Sequence, residues 1–368
     1  MKVVIAAGGS GGHIFPAVAL ARRLEKKGRG ANILFVGSRK ELDRRIFEKE
    51  KFDHRLISGN KMPYGVSLKM VPFAFMLFAD VLRALSILFS FRPDVVVGFG
   101  GYVSWPVTIS AFLLGIPRVV HEQNVVPGRA NKILFKIADS IALSFDRSTD
   151  LLGGNGHKAV VTGNPIRDSM FKDDKASGIR RFGLSSDKFT ILVIGGSQGA
   201  RSLNRTFVNA LSGLDMEKKK RIQVIHITGI KDYDEVSRAY EETGLENRTH
   251  SFIDRIEDAY SASDLVVTRS GASAIFEIAF FGRPMVLVPY PYAMSHQTEN
   301  ARVFADNGAA VMFDEKKMDV ESFRNTISAL VDDRRRLDVM ASSAKSLGVP
   351  GAADALANLV IKAGDASR

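Results

Sequence analysis

The sequence has no cysteine among its 368 residues. That excludes disulfides and thiolate metal sites, and it fits a reducing compartment. The seven histidines include no pair four residues apart, so no zincin-type helix exists. No Gly-Lys-Ser/Thr occurs, which excludes a Walker loop. The dinucleotide fingerprint Gly-x-Gly-x-x-Gly/Ala is missing too: from Gly9 the chain reads Gly9-Ser10-Gly11-Gly12-His13-Ile14, and the last position fails. The second strand ends Val36-Gly37-Ser38-Arg39, without an acidic residue for a ribose. An Asp-x-Asp string like that of metal-dependent sugar transferases does occur at Asp232-Tyr233-Asp234. No apolar strand leads directly into it, and helix capping explains it better. The apolar run at the N-terminus breaks at Gly8 and is expected not to be a secretory signal.

What is present organises itself around the stretch from Ala6 to Pro16. An apolar run, Val3 to Ala7, enters a turn with four glycines in five positions (Gly8, Gly9, Gly11 and Gly12). A helical pattern follows from about Pro16. Strand, glycine-rich turn and helix let a backbone approach a polar ligand with helix N–H groups pointing at it. His13 is the one titratable side chain in that turn. The arrangement recurs: Ile191 to Ile194 runs into Gly195-Gly196-Ser197-Gln198-Gly199-Ala200 and then a helix. Around the first turn, strands are expected at 2–7, 32–36, 95–98, 118–122, 140–143 and 159–162. Around the second they are expected at 191–194, 223–228, 265–268 and 284–289. Strands alternating with helices predict doubly wound parallel sheets. Gly163-Asn164-Pro165 interrupts the pattern and marks the expected boundary of two α/β domains. We expect their glycine-rich turns to face one another across a ligand cleft.

The net charge of +11 is lopsided: 23 of the 51 Lys+Arg but only 12 of the 40 Asp+Glu fall in residues 1–163. The whole excess sits in the first half, as an anionic membrane face or a phosphorylated substrate would favour. The basic residues lack the clustered pattern of a nucleic-acid reader, so no nucleic-acid partner is expected. Residues 71–91 are nearly all apolar and include Phe73, Phe75, Phe78, Phe89 and Phe91. Asp80, Arg83, Ser86 and Ser90 are expected on one side of a helix there, with a wide apolar face opposite. Such a helix would lie on a core, on a membrane surface, or partly on each.

Eight stretches in order make the chain resemble the MurG family of bacterial N-acetylglucosaminyltransferases over nearly its whole length. They are Gly8–Pro16, Gly98–Ser104, His121–Asn124, Gly163–Arg167, Gly195–Ala200, Phe252–Asp254, Arg269 through Glu277, and His296–Ala301. The resemblance implies the GT-B fold: two Rossmann-like doubly wound parallel-sheet domains facing a central cleft. It implies an acceptor-binding, membrane-associating domain over 1–163, a UDP-sugar domain over 164–341 and a helical tail over 342–368. The implied reaction is inverting transfer from UDP-N-acetylglucosamine to the 4-hydroxyl of lipid I, the undecaprenyl-diphosphate-linked N-acetylmuramyl-pentapeptide. It needs no cofactor and no metal, and it takes place at the cytoplasmic face of the plasma membrane. The runner-up is a sugar-nucleotide epimerase of the same fold.

By the same resemblance the donor set is Ser10, Gly11, Gly12, Asn124, Arg167, Ser197, Ile253, Ala272, Ser273, Ala274, Ile275, Phe276, Glu277 and Gln297. Ser197 would take the diphosphate, Glu277 the ribose hydroxyls, Ile253 the uracil and Gln297 the sugar. Ala272–Phe276 would form a loop leading to Glu277. The acceptor diphosphate would lie on Gly8, Gly9, Gly100, Gly101, Tyr102 and Ser104. His13 is the expected general base, with Glu122 as the competing proton acceptor. Two positions depart from the family: Ser273 stands where relatives commonly have a larger apolar residue, and Trp105 where they usually have Gly.

Overall fold

A computed structural model describes residues 1–28, 30–60, 70–171, 174–195, 200–292 and 295–366. The chain divides into two compact units: Met1–Asp168 with Val349–Arg368, and Ser169–Gly348.

The first unit is built on β1 (Lys2–Ala6), β2 (Asn32–Ser38), β3 (His54–Ile57), β4 (Val95–Gly98), β5 (Arg118–Glu122), β6 (Ser140–Leu143) and β7 (Ala159–Val161). All pair in parallel in the order β3-β2-β1-β4-β5-β6-β7. Its helices are α1 (Gly11–Lys26), α2 (Glu41–Lys49), α3 (Met70–Phe91), α4 (Gly101–Leu113) and α5 (Arg129–Ile137). Alternation along β1 shows why both sheet faces are apolar. Val3 and Ile5 pack on one side with residues of α1, and Val4 and Ala6 on the other with residues of α3 and α4. A parallel strand covered by helices on both faces has no side left for polar residues.

The second unit repeats the plan: α6 (Lys175–Phe182), β8 (Phe189–Ile194), α7 (Arg201–Ser212), α8 (Met216–Arg221), β9 (Ile222–Ile227), α9 (Tyr233–Glu241), β10 (Glu246–His250), α10 (Ile256–Ala262) and β11 (Leu265–Thr268). It continues with α11 (Ala272–Phe280), β12 (Met285–Leu287), α12 (His296–Asp306), β13 (Ala310–Met312), α13 (Val320–Asp332) and α14 (Arg334–Leu347). The sheet order is β10-β9-β8-β11-β12-β13, again parallel throughout. The doubly wound α/β expectation therefore holds for both halves.

The ends of the domains differ from the sequence reading. The last helix, α15 (Ala352–Asp365), is not a separate tail: Leu356, Ala357 and Val360 are part of the first unit's core. The chain makes its return beside its exit. Gly163 has φ 79°, and a Cβ there would lie 2.7 Å from the Cβ of Val349. The division falls after Asp168 and before Val349, neither of which the turn signal at Gly163 marks.

Helix α3 is also arranged differently from the expectation. Asp80 does not share a solvent side with Arg83, Ser86 and Ser90. It is buried, and its two oxygens accept the N–H groups of Ser58 and Gly59 at 2.9 and 3.1 Å. Phe73, Asp80, Ala84 and Leu88 form the buried stripe, recurring at the helical spacing. Val71, Phe75, Phe78, Leu82 and Phe89 face outward, with Phe75 73% and Phe89 70% exposed.

Candidate functional site

In the first unit β1 and β4 are neighbours whose connections run to opposite sides, so their carboxyl ends form a topological switch point. Both glycine-rich turns of this unit meet there. After β1 come Gly8 to Ser10 and then the first turn of α1, which starts well before Pro16 and so includes His13. After β4 come Gly100 and Gly101, with φ of 79° and 73°, backbone that glycine adopts without strain. The structure thus brings Gly8, Gly9, His13, Gly100 and Gly101 together. A Cβ on Gly101 would lie 3.2 Å from His13 Nδ1 and 3.3 Å from the Gly8 carbonyl oxygen.

His13 is half-buried, with Nδ1 3.2 Å from Ser10 Oγ and 3.3 Å from Gly8 O. Burial lowers its pKa from the ordinary histidine value, against the opposing fields of Glu122 and Asp43. It is therefore neutral at pH 7, with Nε2 open among the described residues. Ser10 and Gly12 are exposed and Gly11 is half-buried, where a Cβ would press on the Phe15 ring. Tyr102 is 38% exposed on the first turn of α4. Ser104 differs from these: it is fully buried, and its hydroxyl reaches Ala6 O at 2.8 Å and Gly100 O at 2.7 Å. It ties the two turns together from behind and presents nothing to a ligand. Trp105 packs against the cluster containing Val120 and Leu134, the role of a packed residue.

Glu122, the competing proton acceptor, is saturated. Its Oε1 accepts from the Asn124 backbone at 2.9 Å and the Asn124 amide at 3.1 Å. Its Oε2 accepts from Gly128 N at 2.9 Å and Asn131 Nδ2 at 2.8 Å. Its lone pairs are already taken by four donors, all from the chain itself. Glu122 thus sets Asn124 in place. Next to it, His121 donates from Nε2 to Gly163 O at 3.2 Å and accepts from Gln123 at Nδ1, 2.9 Å away; burial pulls its pKa to about 4. Arg167 stacks its guanidinium over Phe15, 4.4 Å from the ring centre.

In the second unit the switch point lies between β8 and β11. Ser197 falls outside the described residues. Ala272, Ser273, Ala274, Ile275 and Phe276 are not a loop, as expected, but the first turns of α11. Their N–H groups supply a helix N-terminus, while the Ile275 and Phe276 side chains are buried; the Phe276 ring lies 6.0 Å from Phe304. Glu277 is 9% exposed, with Tyr260 Oη donating to its Oε2 at 3.3 Å. Gln297, on the first turn of α12, accepts Tyr290 N–H through Oε1 at 2.9 Å. Its backbone oxygen accepts the Ser270 hydroxyl at 2.7 Å, which joins α12 to the turn before Glu277. Ile253 is half-buried in the segment after β10.

Two networks escaped the sequence reading. Arg269 forms a bidentate pair with Glu315 at 2.8 and 2.7 Å and donates to Val288 O at 3.0 Å. Asp232 does not cap α9 with its side chain: its Oδ2 accepts from Asn204 Nδ2 at 3.0 Å, and Asn204 Oδ1 lies 3.1 Å from His226 Nε2. Asp232 of the Asp-x-Asp string thus belongs to a buried brace with Asn204 and His226, while Asp234 is exposed. Among the described residues no cluster of three His, Asp or Glu could hold a metal.

Comparison with known proteins also gives two parts. Residues 3–143 match the glycosyltransferase family 28 N-terminal domain, and residues 190–356 match its C-terminal domain. The chain is similar to the UDP-N-acetylglucosamine--N-acetylmuramyl-(pentapeptide) pyrophosphoryl-undecaprenol N-acetylglucosamine transferase of Halothermothrix orenii, at 37% identity covering 98% of each chain. It is 35% identical to the protein of the same name from Halalkalibacterium halodurans, over 98% of this chain and 99% of that one. Among solved structures it matches Acinetobacter baumannii MurG with a TM-score of 0.77 at 28% identity, over 98% and 99% of the two chains. The UDP-GlcNAc 2-epimerase of Neisseria meningitidis, solved with UDP-GlcNAc, matches at 0.72 with 14% identity over 98% and 100%, a likeness of fold alone.

Proposed function

Because the chain belongs to glycosyltransferase family 28 and, within it, to the MurG transferases, we infer that its two units divide the two substrates of one reaction between them. The protein transfers N-acetylglucosamine from UDP-N-acetylglucosamine to lipid I, giving lipid II for peptidoglycan synthesis. The epimerase alternative rests on a likeness of fold at 14% identity.

The first unit takes the acceptor. Its diphosphate lies against the turns at Gly8–Gly9 and Gly100–Tyr102, where glycines leave the backbone uncovered by side chains; the Gly9 N–H itself is held by Asp43. The acceptor 4-hydroxyl oxygen attacks the anomeric carbon from the face opposite UDP, and the bond from that carbon to the diphosphate oxygen breaks. His13 Nε2 takes the hydroxyl proton, and UDP leaves carrying the electron pair. The observation that carries this assignment is the neutral His13 with one ring nitrogen held and the other open. A positioned base of this kind contributes about 10²–10⁴-fold.

The second unit takes the donor. The N-terminus of α11 and the turn before α7, with Ser197, meet the diphosphate. A helix N-terminus stabilises the charge that develops on the leaving group. Glu277 accepts from the ribose hydroxyls, Ile253 lies on the uracil and Gln297 reaches the sugar. Glu277→Ala is expected to weaken UDP binding more than tenfold, the loss of one or two charge-assisted hydrogen bonds of roughly 1.5–3 kcal/mol each. Calorimetric titration checks this, and unchanged affinity would remove Glu277 from the site.

The protein works at the cytoplasmic face of the plasma membrane, bound reversibly to an anionic surface. Helix α3 over 71–91 is long and apolar enough to cross a membrane by length and composition, but its buried stripe holds it on the sheet. Phe112, Leu113 and Leu114, at the end of α4, are exposed as well. Arg83 and Arg92 are exposed on the same helix and just beyond it; Lys61 and Lys69 lie outside the described residues. Apolar insertion and charge attraction then add.

A further inference from the structure

We propose that Asp43 is a positioning residue for His13, acting through the one peptide group that joins Gly8 to Gly9. Asp43 sits on α2 and has no exposed surface. Its two oxygens accept the Gly9 N–H at 3.0 and 2.9 Å. Oδ2 also takes the backbone N–H and the hydroxyl of Ser38, each at 2.7 Å. The carbonyl of the same peptide group, Gly8 O, points the other way, as planarity requires, and lies 3.3 Å from His13 Nδ1. Nδ1 has two neighbours, Gly8 O and Ser10 Oγ at 3.2 Å; the hydroxyl can accept as well as donate but a carbonyl oxygen only accepts, so the ring proton belongs on Nδ1 and the lone pair on Nε2. The order is carboxylate, peptide N–H, peptide C=O, imidazole N–H.

The parts are built around one another. A Cβ at Gly8 would overlap Asp43 Oδ2 and lie 2.9 Å from Ser38 N, so only glycine lets the carboxylate close on the turn. Gly9 has φ 85°, which aims its N–H at α2. Gly101 confines the ring from the β4 side. Hydrogen bonds in series polarise one another. A carboxylate on the N–H makes the carbonyl a better acceptor, and that matters most once Nε2 has taken the acceptor proton and the ring is positive. The Nδ1 proton stays on the ring throughout. Four charged or titratable groups face His13: Asp43 of α2, Lys40 just before it, and Glu122 and His121 of β5. Lys40 Nζ donates to Gly9 O at 3.0 Å and opposes Asp43 in its effect on the ring.

This deepens the reading of His13 as base and rests on it, but its test is separable. In the full-length protein with 15N-labelled histidine, His13 should show one tautomer, protonated at Nδ1 and bare at Nε2. A ring found protonated at Nε2 overturns the proposal without recourse to any variant. Asp43→Asn is expected to lower the His13 pKa, mix the tautomers, cut kcat on the order of tenfold and move the acidic limb of the kcat profile to lower pH, with UDP affinity unchanged. An unmoved His13 titration in a folded Asp43→Asn protein overturns it as well. Should that variant not fold, the wild-type tautomer decides alone: a ring protonated at Nε2 counts against the proposal. If His13→Ala keeps full kcat, the base assignment fails, while the tautomer and its response to Asp43 remain measurable.

Discussion

Each unit keeps a histidine near the carboxyl end of its first strand, and the two have opposite fates. His226 on β9 has no exposed surface; Nδ1 lies 2.9 Å from Tyr240 Oη and Nε2 3.1 Å from Asn204 Oδ1. Burial alone acts on it and drives its pKa to about 3. His13 is also lowered by burial, but Glu122 and Asp43 work against the shift, and one of its nitrogens is open. Desolvation makes a histidine neutral in both places. Nearby carboxylates and an open nitrogen make one of them able to take a proton and hold it.

Removing each ring should break the pair apart. His13→Ala is expected to lower kcat about 10²–10⁴-fold and abolish the acidic limb of its pH profile. His226→Gln should leave that limb where it is. Steady-state rates across pH check both, and a limb lost with His226 would contradict the comparison.

The buried ring has its own signature, in stability. His226 has a folded pKa far below its unfolded value near 6.5. The unfolded chain therefore binds its proton first as pH falls. The contribution is full above pH 6.5 and is lost progressively down to about pH 3, a difference of several kcal/mol. Denaturant titrations should show this slope in the wild type and a flatter one in His226→Gln. Equal slopes would mean that the ring is not neutral and buried as described.

A smaller effect separates the surfaces of the units. Vesicle co-sedimentation should need anionic lipid and should weaken, without vanishing, in high salt. Phe75→Ser with Phe78→Ser should reduce binding several-fold and leave the fold intact, since both side chains are exposed. Equal binding to neutral vesicles would remove the electrostatic part.

The central strands were legible because parallel strands buried on both faces are unbroken apolar runs. The three unexpected strands, β3, β10 and β13, all lie at sheet edges. His-Arg-Leu-Ile and Glu-Asn-Arg-Thr-His carry no such run, because an edge strand has one neighbour and a more solvated face. The glycine turns and His13 were visible as a local pattern. What holds the first turn was not: Asp43 reaches Gly9 from α2, and no spacing in the sequence announces it. The same holds for α15, whose apolar face reads as a helix but carries no address for the first unit's core. The loop that the resemblance implied over Ala272–Phe276 is already helix, because Gly271 is the N-cap and α11 begins directly after it.

The division of substrates between the units is tested most directly by calorimetric titration of UDP into His13→Ala and Glu277→Ala side by side. The predicted result is wild-type affinity in the first and a loss of more than tenfold in the second. Equal losses in both, or a loss confined to His13→Ala, would contradict it.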